Sequence, residues 1–233
     1  MKRGWAFLAL CLIILIILAV PRLFVVPRVA RELEAELAAA LGTDHIEITL
    51  HAPWGWELLL GRIPRLTLSA QDAVLEGIAA AQVEVQGEEI LFQPWTLFQR
   101  GELVLTGYSG FAGSLVITEN ALNEVFWREV DPSRQLWLEV SPTGLAVRGK
   151  VGIWNTEVEI SVVSDVLVKP PAELRFVVKE ITLQEARIPP LLLEMVKDSY
   201  NFTVDLGEFP LPVEIQAVEL LVHEIKIRVG GTQ

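Results

Sequence analysis

From His45 onward the chain keeps returning to a period of two, and that alternation limits the architecture more than any other feature. His45-Ile-Glu-Ile-Thr-Leu50 alternates apolar with polar, as do Leu66-Thr-Leu-Ser-Ala70, Gln82-Val-Glu-Val-Gln86 and Glu102-Leu-Val-Leu-Thr106. Leu136 to Val140, Leu145 to Lys150, Glu157 to Val168, Leu174 to Leu183, Val213 to Leu220 and Glu224 to Val229 behave alike. Side chains on a strand point to opposite faces in turn, so each segment predicts a strand with one face toward apolar matter and one toward water. Gly61, Gly77, Gly87, Gly101 and Gly107 fall between them, where turns belong.

Helical spacing interrupts this pattern three times. In Arg28 to Leu41, Val29, Leu33, Leu37 and Leu41 recur every four residues and Gly42 supplies a stop. Such a helix either packs on the domain or lies along a membrane surface. Thr118 to Arg128 reads as a second helix, with Thr118 as N-cap, Glu119 in the first turn and Leu122, Val125 and Phe126 as a stripe. Pro189 to Tyr200 reads as a third, with Leu192, Met195, Val196 and Ser199 at helical spacing. The order of strands followed by a helix occurs twice, about 70 residues apart, without local identity; a pseudo-repeat is compatible with it.

Before Arg28 the sequence changes character. Trp5 to Val20, WAFLALCLIILIILAV, carries no charge and lies between Met1-Lys2-Arg3 and Pro21-Arg22. Its Leu, Ile, Phe and Val each contribute roughly −0.3 to −0.6 kcal/mol at the centre of a membrane helix. A span needs about 20 residues, so Leu23-Phe24-Val25-Val26 extends the run if Arg22 reaches to the headgroups. No A-x-A-like cleavage site follows, and Leu10 before Cys11 does not fit a lipid-attachment motif. We read residues 1–27 as an uncleaved anchor in which Trp5, Leu12, Ile13 and Ile16 contact lipid. Residues 28–233, with no linker rich in Pro, Gly or Ser to divide them, form one extracytoplasmic domain.

The formal net charge is −11, and all 30 acidic residues lie beyond Val26. Nucleic acid is a poor partner for such a surface, because phosphate binding requires Lys and Arg. Lipid, if bound, is held by apolar burial. The single cysteine, Cys11, precludes an intramolecular disulfide. His45, His51 and His223 have no second His or Cys at ligand spacing, so neither a metal nor a cofactor is expected. Gly107-Tyr-Ser-Gly-Phe111 lacks the second Gly of a nucleophile elbow, and the many acidic residues alternate with apolar ones as a solvated sheet face does. The expected function is non-enzymatic.

About nine strands present an apolar face on the order of 900 Å². Three helices of a dozen residues cover about 540 Å². The rest is covered either by the sheet closing on itself or by something outside the chain. The first gives a dry structural or partner-binding protein, the second a trough for lipid.

Ile188-Pro-Pro-Leu-Leu-Leu-Glu-Met-Val196 through Phe209-Pro-Leu-Pro-Val-Glu-Ile-Gln-Ala-Val-Glu-Leu-Leu221 resembles the LmeA-like family of bacterial envelope phospholipid-binding proteins. The likeness lies in a Pro-started helix, a Leu-Pro step into a strand and a final hairpin ending in Gly. Leu58-Leu-Leu-Gly61 and Ile117-Thr-Glu-Asn-Ala-Leu-Asn123 add to it. The final turn, Leu221-Val-His-Glu224, departs from the Gly or Asn expected at its tip. The resemblance implies an exported or anchored protein, a curved sheet wrapped on helices as in tubular lipid-binding domains, membrane phospholipid as ligand, and service to envelope or glycolipid assembly.

The fold expected is therefore α+β: an N-terminal transmembrane helix, then one long curved antiparallel sheet wrapped on two or three helices. Alternation nominates Leu66, Leu68, Val83, Val85, Leu103, Leu105, Leu138, Val140 and Ile160 as lipid-facing, with Leu122, Phe126, Leu192, Met195 and Val196 from the helices. Trp54 and Trp56, beside Leu58-Leu-Leu60, either enter the membrane interface or pack on the sheet edge. Trp127, Trp137 and Trp154 are assigned to the core.

Overall fold

The computed structural model describes residues 2–75, 77–102, 104–153, 156–169, 173–183, 186–187, 202–205 and 214–232; of these, 2–19, 151–153, 156, 169, 173, 175–176, 186–187, 202–205 and 232 are described by backbone alone. The architecture is α+β, with the strand pairings among the described residues all antiparallel, but the strands divide between two sheets and do not form a single long one. The predicted helix Pro189 to Tyr200 lies outside the described residues, and with it Leu192, Met195 and Val196; Leu103 and Trp154 do so too.

The first element, α1, runs from Lys2 to Leu41 with Pro21 and Pro27 inside it. Neither proline ends it, and the apolar run and the amphipathic segment form one helix. Each proline removes one i→i−4 bond. The helix is held past that loss by its packing: Val29, Leu33, Leu37 and Leu41 are all buried in the core, so the amphipathic segment packs on the domain and does not lie along a surface. The run Trp5–Val20 falls almost wholly where only backbone is described. Among the described residues no helix is long and apolar enough to cross a membrane.

β1 (Ile46–His51), β2 (Arg62–Leu75) and β3 (Ile78–Phe92) form a meander, with α2 (Trp56–Leu59) between β1 and β2. α3 (Pro94–Arg100) and the short β4 (Leu105–Gly107) follow, then β5 (Gly110–Thr118). The final hairpin, β12 (Glu214–Leu220) and β13 (Glu224–Thr232), returns to this sheet and gives the order β1-β2-β3-β5-β13-β12. β5 carries too few large apolar residues to show a clean alternation. It fits because Gly113 lies against the backbone of Glu84 and Val85, where no side chain has room.

α4 (Glu119–Glu129) leads from β5 into the second sheet, in which β6 (Leu136–Ser141), β7 (Gly144–Ile153), β8 (Thr156–Lys169) and β9 (Glu173–Leu183) form a meander. β10 (Ala186–Arg187) and β11 (Phe202–Asp205) both pair with β9. Thr118 caps α4 as expected, its Oγ1 accepting the Ala121 N–H at 3.3 Å. One core cluster extends from Leu58 and Val29, through Leu68 and Val85, to Leu138, Leu145 and Leu174 of the second sheet.

Candidate functional site

Strand register aligns the apolar side chains of the second sheet in rows. Leu138, Val147, Val162 and Ile181 face one another across β6 to β9, and Leu136, Gly149, Ile160 and Leu183 form the next row. Simple alternation would place Val178 and Ile181 on opposite faces of β9. A bulge passes over Lys179, so that Val163 matches Glu180 while Ser164 matches Val178, and both apolar residues remain buried.

The buried residues of this apolar face fall into two clusters. Leu138, Val140, Leu145 and Leu174 join the main core. Val162, Val178 and Ile181 form a separate small cluster, flanked by the half-buried Val147 and Ile160. Val147 also packs against the main core, so the two clusters adjoin, and Val147 and Ile160 are the half-buried residues beside the smaller one.

The opposite face of the same sheet is polar. Trp137, Arg148, Ser161 and Thr182 form one row across it, and a cleft of ≈ 450 Å³ opens there, lined also by Gly149, Lys150, Glu159 and Ile160. The Arg148 guanidinium lies 2.7 Å from Glu139. Trp137, assigned to the core from sequence, stands on this face and is exposed, because Leu136, Leu138 and Val140 take the inward positions of its strand.

The second sheet is joined to the rest by the edge of β6. Glu119, Asn123 and Trp127 occur every four residues and so share one side of α4. Glu119 Oε2 accepts the Val140 N–H at 2.7 Å, Asn123 bonds both the N–H (2.7 Å) and the C=O (2.9 Å) of Leu138, and Trp127 Nε1 donates to the Leu136 carbonyl at 2.6 Å. The Leu136 N–H goes to Asp131 Oδ2 at 2.7 Å, and the Val140 carbonyl accepts the His223 N–H at 3.1 Å. The outward backbone groups of these three residues are thereby all paired, which closes an edge that would otherwise invite another strand. His223 adopts φ 63 at the tip of the final turn, the conformation expected of Gly or Asn there. Sequence reading missed this junction; its one visible signal is the polar-polar-aromatic repeat of four.

The nominated residues divide accordingly. Leu66, Leu68, Val83 and Val85 are fully packed in the main core on the inner face of the first sheet, and Leu122 and Phe126 of α4 are buried in the same core. Leu105 is half-buried against the same core. Leu138 and Val140 lie where the two sheets meet, and Ile160 borders the separate cluster. Trp5, Leu12, Ile13 and Ile16 are on α1, among the residues described by backbone alone. Trp54 and Trp56 are both exposed. Among the described residues there is no group of three or more His, Cys, Asp or Glu side chains arranged to hold a metal.

Two antiparallel sheets, with a long N-terminal helix packed against the first of them, define an α+β domain. Residues 20–229 match the family model of LmeA-like phospholipid-binding proteins, and the chain belongs to that family. No curated protein and no solved structure matches it.

Proposed function

We propose that the protein is a membrane-anchored, extracytoplasmic phospholipid-binding protein that holds acyl chains without chemical turnover. Its family supports phospholipid as the ligand. The observation that carries the placement is the half-buried pair Val147 and Ile160, which flank the small apolar cluster of Val162, Val178 and Ile181 on the inner face of the second sheet. Burial of an acyl chain there contributes roughly 0.8 kcal/mol per methylene, so affinity needs few polar contacts. The first-sheet residues nominated from sequence serve as packing. In this reading α1 crosses the membrane once, with its apolar run as the span, and the domain serves envelope lipid handling or glycolipid assembly. The acidic charge leaves nucleic acid out as a partner.

A dry, partner-binding envelope protein is the second reading, favoured by the complete packing of Leu66, Leu68, Val83 and Val85. Photo-crosslinking separates the two. Full-length protein reconstituted with a phospholipid carrying a diazirine on its acyl chain is irradiated and digested. Adducts on the β7–β9 peptides holding Val147 and Ile160 are expected, and adducts confined to α1 would leave the dry reading standing.

A further inference from the structure

The end of the first sheet nearest the apolar run carries a collar of exposed apolar side chains around α1. Leu23 (66% exposed) and Phe24 (70%) are on the helix, Trp54 (59%) and Trp56 (40%) lie at the start of α2, Leu60 (83%) follows it, and Trp95 (72%) is on α3. Each short helix is fixed by one fully buried leucine, Leu58 or Leu97, so the outward residues stand on a supported base.

The parts are locked to one another. Gly55, at φ 75, lies so close to α1 that an added Cβ would be 2.6 Å from the Pro21 carbonyl carbon and 2.7 Å from the Arg22 nitrogen. A Cβ on Gly61 would be 2.9 Å from Pro94 Cδ, which ties the end of α2 to the start of α3. The Arg28 guanidinium sits 5.7 Å from the centroid of Phe98, and Gly101 faces Glu32, so α3 runs parallel to α1. One turn earlier on each helix are Phe24 and Trp95, both exposed.

We propose that this collar seats the domain on the bilayer, with its Trp and Leu side chains in the interfacial layer where such rings settle. The occupant follows from continuity: the helix that passes through the collar at Pro21 is the same one that carries Trp5–Val20. The inference rests on that run entering the bilayer, as proposed above. It adds a second attachment that fixes the domain's height and tilt. The opposite end of the sheet then points away from the membrane. Gly42 lies there against Val74, about 30 Å along α1 from Pro21, and so does the turn holding Val222.

The full chain, reconstituted in phosphatidylglycerol–phosphatidylethanolamine vesicles, tests both attachments separately. A nitroxide on the native Cys11 reports the run. In a Cys11→Ser background, nitroxides at Leu60→Cys, Trp95→Cys and Val222→Cys report the two ends of the sheet; all three positions are exposed. We expect the ratio of oxygen to nickel-chelate accessibility at 60 and 95 to exceed that at 222 severalfold, with Cys11 deep in the lipid. A deep Cys11 with 60 and 95 as aqueous as 222 would overturn the collar and leave the anchor intact. An aqueous Cys11 would overturn both. Labels at 60 and 95 shielded from both reagents would show a protein covering the collar and would equally overturn lipid seating.

Discussion

Glu119 Oε2 lies 3.0 Å from His223 Nδ1, joining the first residue of α4 to the tip of the final hairpin across 104 positions of sequence. The same oxygen accepts the Val140 N–H, and the Glu119 N–H donates to the His223 carbonyl at 2.9 Å. One carboxylate thus ties together the first sheet, the helix and the edge of the second sheet.

Glu119→Ala leaves the Val140 N–H without its acceptor, and an unpaired group of this kind costs about 1–3 kcal/mol. The urea midpoint is expected to fall accordingly. Glu119→Gln keeps an oxygen in place and is expected to recover most of the loss; equal destabilisation by both variants would count against the bond to Val140.

Asn123 is the more demanding position, because one side chain serves both backbone groups of Leu138 and is itself buried. Asn123→Leu is expected to destabilise by on the order of 3 kcal/mol despite its similar size, since two buried groups lose their partners. Amide hydrogen exchange at Leu138 is expected to accelerate more than at Val147, which lies inside the sheet.

Asp131 supplies a pH dependence. Its carboxylate accepts the Ser133 hydroxyl, the Leu136 N–H at 2.7 Å and the Ser133 N–H at 3.1 Å. These bonds, the Ser133 hydroxyl foremost, hold its pKa below the ordinary carboxylate value. A depressed folded-state pKa contributes stability that is present above the unfolded value and lost as pH falls through the folded one. Thermal melts of Asp131→Asn are therefore expected to show a shallower acid limb below about pH 4 than the parent, and Ser133→Ala an intermediate one.

Filling the proposed lipid site separates binding from folding. Ile160→Trp, at a half-buried position, is expected to lower photo-crosslinking of diazirine phospholipid to the β7–β9 peptides while the melting temperature changes little. Leu68→Ala, in the packed first sheet, is expected to cost about 2–5 kcal/mol and leave crosslinking of the folded fraction unchanged. Crosslinking that follows stability in both variants would remove the second sheet from the site.

Local pattern by itself determined most of the strands, the stripe of Val29, Leu33, Leu37 and Leu41, and the cap at Thr118, because period and capping are read between near neighbours. It also carried the family likeness. Tertiary structure decided what depends on distant partners. Alternation gives each strand an inner face but not which sheet it joins, so Leu68 and Ile160 looked equivalent until register placed one in the main core and the other beside the smaller cluster. A helix continuing through Pro21 and Pro27, and a His at positive φ, are locally unfavourable, and packing or hydrogen bonding from elsewhere in the chain decides them. Trp54 and Trp95 acquire a shared meaning only because α2 and α3 bring them to the same end of α1, a relation that spacing along the chain cannot encode.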